Sequence, residues 1–397
     1  MEIKGKVHYV GVNDRNKALF ENLWPLPYGV TYNSYLIPDE DKVVLVDTVD
    51  ICYFEVFLRK IREVIGDRKI DYLVINHMEP DHSGSLPLIY HHYPDITLVG
   101  NKKTFDMIDG FYGVGGNRLV VGEGDTLAVG HHNLRFYLIP MVHWPETMVT
   151  FDETDGILFS GDAFGCFGAL NGGCIDRNIN TEIYWNEMRR YYSNIVGKYG
   201  TFVQKALKKL EGLDITTICS THGPVWQEQI SQVVEMYDKL SRYEGEEGVV
   251  IAYGSMYGNT EQVAEIIAEE LSREGIRNIV MHNVSKTPHS FILADVFRYK
   301  GLIVGCTTYN TQMYPEMEAL LSKIAGRDMK NRIMGYFGSF TWASAAVKKI
   351  AEYAEKLKFE MVGTPIEMKQ SMKDADYLHA KELAKAMADR LKADRTA

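Results

Sequence analysis

The run His77-Met78-Glu79-Pro80-Asp81-His82 constrains this chain more than any other feature. It follows directly on an apolar stretch at 72–76 that reads as a strand, so its side chains project from a strand end and the loop beyond. Two imidazoles and two carboxylates within six residues are costly to bring together unless something pairs with them, and a cation is the economical partner. In an extended loop alternate residues point the same way. His77 and Glu79 can therefore serve one metal while Asp81 and His82 turn toward a neighbour. The ring of Pro80 stiffens the turn between the two pairs.

Three more candidates stand where strand patterns end: His143 after 134–140, Asp162 after 157–160 and His222 after 216–220. Ligands at the ends of successive strands can converge on one edge of a sandwich. Further strands are expected at 32–37, 43–47, 97–99, 119–121 and 148–151, with helices at 53–65, 85–90, 104–112, 181–210 and 226–240. Strands in series with helices outside predict two packed sheets covered by helices. The remaining histidines, His8, His91, His92, His131, His132, His282, His289 and His379, read one by one as ordinary surface or core residues.

The clearest seam is the polar, acidic segment 241–248, SRYEGEEG, which places a domain boundary near residue 247: one domain over 1–247, a second over 248–397. The second part alternates strands and helices. Strands are expected at 249–253, 278–284, 301–304, 332–337 and 360–364, and a helix at 374–391 closes the chain. This predicts a doubly wound five-strand parallel sheet of order 2-1-3-4-5. After its first strand comes Gly254-Ser255-Met256-Tyr257-Gly258-Asn259-Thr260-Glu261, then a helix with apolar Val263, Ile266, Ile267 and Leu271 on one face. Bare N–H groups at a helix start, with hydroxyls from Ser255 and Thr260 and a close backbone approach at Gly258, suit a phosphate without any lysine.

Composition narrows the partners. The formal charge of -10 speaks against nucleic acid and anionic membrane. No stretch reaches the roughly 18 apolar residues of a membrane span, and the first residues lack the apolar run of a signal peptide. Five scattered cysteines, with no CxxC, suggest a reduced, cytoplasmic protein and leave no place for a fused rubredoxin or zinc-ribbon module. Cys166 and Cys174, near Asp162, are expected to be buried apolar residues rather than a redox pair.

The first half resembles the metallo-β-lactamase fold, an αββα sandwich whose hydrolases usually carry HxHxDH and bind zinc. Glu79 stands here in place of the second histidine. A hard carboxylate oxygen suits iron or manganese better than a zinc hydrolase site. HxExDH is the form found in flavodiiron proteins (A-type flavoproteins), which fuse such a domain to a flavodoxin-like one. The resemblance implies one iron on His77, Glu79 and His143, a second on Asp81, His82 and His222, and Asp162 bridging them. It implies that Tyr191 lines the substrate pocket and that Asp47 is a supporting position.

The loop after 249–253 is similar to the flavodoxin phosphate loop, which implies FMN held by Ser255, Met256, Tyr257, Gly258, Asn259 and Thr260. The flanking loops would supply Thr307, Thr308, Tyr309, Asn310 and Thr311, and Gly338, Ser339, Phe340, Thr341, Trp342 and Ala343. Thr341 and Ser344 depart from the family's GSYGWGG pattern. The implied activity is reduction of dioxygen to water or of nitric oxide to nitrous oxide, with electrons from a rubredoxin-like donor passing through FMN. A head-to-tail homodimer, or a tetramer built from it, is implied as well. These ligands do not rank the two substrates. The competing readings are a zinc hydrolase with an accessory flavodoxin domain and an electron carrier with an inactive metal site.

Overall fold

The computed structural model describes residues 1–394, which form two compact units. The first comprises Met1–Tyr192 and Thr201–Asp238, and the second comprises Ser193–Gly200 and the chain from Lys239 onward.

The first unit holds two large sheets. One has seven strands in the order Glu2–Lys4, Val7–Tyr9, Tyr35–Pro38, Val43–Val46, Tyr72–Val74, Thr97–Gly100 and Asn117–Val120. The other has five: Thr126–Val129, His132–Leu138, Met148–Asp152, Ile157–Gly161 and Thr217–Ser220. Val43–Val46, Met148–Asp152, Ile157–Gly161 and Thr217–Ser220 are buried at every position, as expected of strands covered on both faces. Helix Phe54–Ile65 buries Phe54, Phe57, Leu58, Ile61 and Ile65, a stripe at helical spacing. This is the expected metallo-β-lactamase-like sandwich.

Two expected elements divide. The strand at 32–37 splits into Val30–Tyr32, which pairs with Val12–Asp14 in a small sheet of its own, and Tyr35–Pro38 in the large one. The break falls at Asn33, whose N–H bonds to Thr221 O and whose side-chain amide bonds to Ser220 O and Gly223 O. The helix at 181–210 is in fact Glu182–Tyr191, a wider turn at Tyr192–Val196, a tighter one at Gly197–Tyr199, and Gly200–Leu210. Its two glycines are weak helix formers held by close neighbours: a side chain at Gly197 would meet the Phe297 ring, and one at Gly200 would meet Ser241 O.

In the second unit the main path of the sheet is parallel, in the order Ile279–Asn283, Glu246–Gly254, Tyr299–Tyr309, Ile333–Phe340 and then the fifth position, which is the predicted 2-1-3-4-5; Gln312–Met313 adds a short antiparallel pair to Tyr299–Tyr309. The fifth strand is two pieces, Glu360–Met361 and Ile366–Lys369, each paired to Ile333–Phe340. Gly363, at φ 67, turns the chain between them.

Candidate metal centre and flavin site

The strand Tyr72–Val74 ends two residues before Asn76, and Asn76 is gripped by Asp47. Asp47 Oδ1 accepts the Asn76 N–H at 2.8 Å and Oδ2 accepts its side-chain amide at 3.0 Å. That grip sets the backbone from which His77, Met78 and Glu79 run on extended. Pro80–Ser83 then forms a single helical turn with proline at its start, and this turn carries Asp81 and His82. His143, Asp162 and His222 follow the ends of His132–Leu138, Ile157–Gly161 and Thr217–Ser220.

All seven expected metal-ligating side chains meet at this sheet end, in two groups. His77, Glu79, His143 and Asp162 form one; Asp81, His82 and His222 form the other. Asp162 stands between them, fully buried. Its Oδ2 lies 3.1 Å from His143 Nε2 and 3.5 Å from His77 Nε2, while its Oδ1 lies 3.2 Å from His82 Nε2 and 3.5 Å from His222 Nε2. Glu79 Oε2 is 3.0 Å from His143 Nε2, and Asp81 Oδ2 is 3.3 Å from His222 Nε2.

Two rings are fixed from behind. His77 Nδ1 donates to Glu146 Oε1 at 2.6 Å, and His222 Nδ1 donates to Thr31 O at 2.6 Å. Each bond turns Nε2 inward as the free nitrogen. Gly223, at φ 81, packs on Cys166 so closely that a side chain there would collide with the sulfur. Cys166 and Cys174 are both buried and form no disulfide.

Several inward-facing atoms lack hydrogen-bond partners, although His143 Nε2 bonds to Glu79 and Asp162. His77 Nε2, both Asp81 oxygens, both His82 nitrogens and His222 Nε2 are buried and make no hydrogen bond. Leaving such a group unpaired costs about 1–3 kcal/mol, so this many in one place fit a site built around cations. Without metal the charges lean on one another. Burial disfavours the His82 imidazolium, but Asp81 and Asp162 outweigh it and hold its pKa up at about 10. Burial likewise opposes the Asp162 carboxylate, and His82, His143 and His77 hold it well below the usual range.

Tyr191 lies fully buried beside this cluster, its ring centroid 5.5 Å from that of His222. Its hydroxyl has no hydrogen-bond partner, and burial together with Asp162 and Glu79 raises its pKa well above the ordinary value. Phe20 and Phe167 pack on the same ring at 6.2 and 5.0 Å.

In the second unit the three loops leave the ends of neighbouring parallel strands. Gly258 sits at φ 90 immediately before helix Asn259–Arg273, whose first turn has no side-chain cap. Ser255 Oγ accepts the Gly258 N–H at 3.0 Å, and buried Thr260 bonds to Ser339 across the strands at 3.0 Å. Met256 and Tyr257 are exposed, Tyr257 at 88%. Thr307, Thr308 and Tyr309 end strand Tyr299–Tyr309, and Asn310 and Thr311 turn it back at φ 47 and 58. Gly338, Ser339 and Phe340 end the next strand, ahead of Thr341, Ala343 and Trp342, the last 83% exposed. An uncapped helix start facing hydroxyls suits a phosphate, and exposed aromatic side chains beside it suit a flat ring.

The model of the ODP family beta lactamase matches residues 30–223, and that of flavodoxin matches residues 251–388. The anaerobic nitric oxide reductase flavorubredoxin of Escherichia coli is 34% identical over 369 residues, covering 90% of this chain and 76% of the relative. Rubredoxin oxygen:oxidoreductase of Desulfovibrio gigas superposes with a TM-score of 0.95 at 32% identity, covering 100% of both chains. The flavodiiron protein of Giardia intestinalis gives 0.94 at 27% identity, covering 99% of this chain and 97% of that one.

The chain belongs to the flavodiiron protein family. It is an oxidoreductase with an FMN site in its flavodoxin-like unit and a di-iron site in the other. Two features of this flavodiiron protein escaped sequence reasoning. Glu146 lies 69 residues from the ring it braces, and nothing in HWPET marks it. The second is a cap: the Thr308 hydroxyl accepts the N–H groups of Ala345 and Ala346 at 3.1 and 3.0 Å. It caps helix Ala346–Leu357, whose own cap position, Ala345, has no hydroxyl.

Proposed function

We propose that this chain reduces dioxygen to water, nitric oxide to nitrous oxide, or both, with electrons from a small rubredoxin-like protein entering through FMN. The observation that carries the reading is the division of Asp162, one oxygen toward each group of side chains. A carboxylate so placed joins two metals, and the carboxylate-rich donor set favours iron over zinc. Relatives of both names stand at similar identity, 32% and 34%, so both substrates enter the proposal.

His77, Glu79 and His143 would hold one iron, Asp81, His82 and His222 the other, and Asp162 would bridge them. When bound, FMN takes up and releases electrons and the iron pair offers them to a diatomic substrate. The protein supplies position and hydrogen bonds. Glu146 and Thr31 orient His77 and His222. Phe20 and Phe167 make a dry wall beside His222, and Tyr191, which burial keeps protonated, would donate a hydrogen bond to the substrate. FMN would lie against Ser255, Met256, Tyr257, Gly258, Asn259 and Thr260, between the loops bearing Tyr309 and Trp342. The exposed Tyr257 and Trp342 make an apolar rim that a second, head-to-tail copy would cover. A domain boundary along the chain near residue 247 and a cytoplasmic location complete the proposal. No helix among the described residues is long and apolar enough to cross a membrane.

The test is metal and flavin analysis of protein purified without air, followed by turnover with each gas under a reduced rubredoxin. About two irons and one FMN per chain are expected from the ligand count and the single phosphate loop. Zinc without flavin after iron-replete expression would refute the reading.

A further inference from the structure

A second set of metal-type donors lies at the other end of the five-stranded sheet. His132 opens strand His132–Leu138 and Asp152 closes strand Met148–Asp152, each at the end remote from His143 and Asp162. The ring of His132 and the carboxylate of Asp152 are fully buried, with Nδ1 2.7 Å from Asp152 Oδ2. Asp155, in the turn to the next strand, brings Oδ2 to 3.6 Å from the same nitrogen. The neighbouring ring contributes too: His131 Nε2 lies 3.8 Å from Asp155 Oδ2, on a side chain 60% exposed.

Three observations separate this cluster from an ordinary ion pair. Asp155 Oδ2 is a buried oxygen with no hydrogen-bond partner. The nearby ammonium of Lys4 passes the carboxylate by and bonds instead to Asp155 O at 2.7 Å and Thr216 Oγ1 at 2.6 Å. The spacing of donors, 2.7 to 3.8 Å, brackets that of the di-iron ligands, 3.0 to 3.6 Å. A proton on His132 offsets one of the two carboxylates; a divalent ion would offset both, held by His132, Asp152 and Asp155, whose donor atoms converge, with the exposed His131 ring swinging in as a fourth donor.

We propose that His131, His132, Asp152 and Asp155 bind a divalent cation of the zinc class, separate from the di-iron centre. Donor type alone does not choose the metal here; a single ion with as few as three converging protein donors suits the low coordination number that zinc accepts, and its binding displaces the His132 proton. The exposed His131 ring gives the entry path. The ion would tie the hairpin turn at His131 to the turn at Asp155, so its role is to stabilise rather than to react.

The experiment uses protein already loaded with iron and FMN, incubated with zinc chloride, desalted and analysed for both metals. Wild type is expected to gain about one zinc per chain with its iron unchanged, and to unfold at higher temperature for it. His131→Asn and Asp155→Asn should each bind zinc at least about tenfold more weakly while keeping iron, FMN and turnover. His131 is exposed, so its replacement tests the site even if Asp155→Asn folds poorly. Wild type that gains no zinc, or gains it only as iron leaves, overturns the proposal. So does a folded Asp155→Asn variant that binds zinc as wild type does.

Discussion

At the scale of single residues, Glu146 matters more than its place in the sequence suggests. It accepts from both His77 Nδ1 and the Met78 N–H, and so holds ring and loop together. Glu146→Gln weakens that grip. We expect metal affinity at the His77 side to fall about 10–100-fold, measured by competition with a chelator, with the fold intact by circular dichroism. Tyr191→Phe removes a hydroxyl that has no partner, so stability should hold or rise while turnover drops by about 10²-fold at unchanged iron and flavin. The raised histidines carry a pH signature. For the metal-free chain, His82 at about 10 contributes stability that is complete below the unfolded value near 6.5 and lost as pH climbs through 10. Denaturation midpoints of metal-free protein should therefore fall between pH 7 and 10. A metal-free midpoint that stays level over that range would show that these rings are not held charged.

At the scale of elements, the contest between local and distant forces decides what could be read from sequence. HxExDH was legible because proline and a preceding apolar run fix how its side chains diverge. His143, Asp162 and His222 were legible because each follows a clear strand. The split at Asn33 was not, since its cause is a set of bonds to Thr221, Ser220 and Gly223 far along the chain. The same holds for Glu146, and for His131 and His132, which look ordinary until Asp152 and Asp155 are folded beside them. The cap that Thr308 supplies to the helix at Ala346 was not legible either, since it joins residues 37 and 38 positions apart. Thr308→Val should destabilise the flavodoxin-like unit by about 1 kcal/mol in urea denaturation through loss of this cap. Gly223→Ala belongs here too. Its left-handed backbone and the adjoining Cys166 sulfur leave no room for a methyl group, so a loss of about 1–3 kcal/mol is expected in the metal-free protein.

At the scale of the whole molecule, each unit has its own buried core, and the two cofactor sites draw on different ones. Calorimetry should resolve two transitions, with chelation lowering only the one that contains the metal site and flavin depletion only the other. The metal centre is also where fold and function conflict most. Four buried imidazoles and three carboxylates would not be chosen for stability alone, and without cations they leave polar atoms unpaired. Loaded and empty chains should accordingly differ in unfolding temperature by far more than most point mutants differ from wild type.

The loop from Gly254 to Glu261 contains no lysine or arginine, and the helix behind it starts uncapped. A phosphate seated there meets dipoles at close range instead of mobile side-chain charges. Dissolved salt screens separated charges well and short, partly buried hydrogen bonds poorly. Brine should therefore be a poor eluent for this flavin. What releases it is anything that lets the loop open, such as mild urea or warmth, and a yellow band that survives high-salt chromatography yet fades at low denaturant would be the visible sign of a cofactor held by backbone rather than by charge.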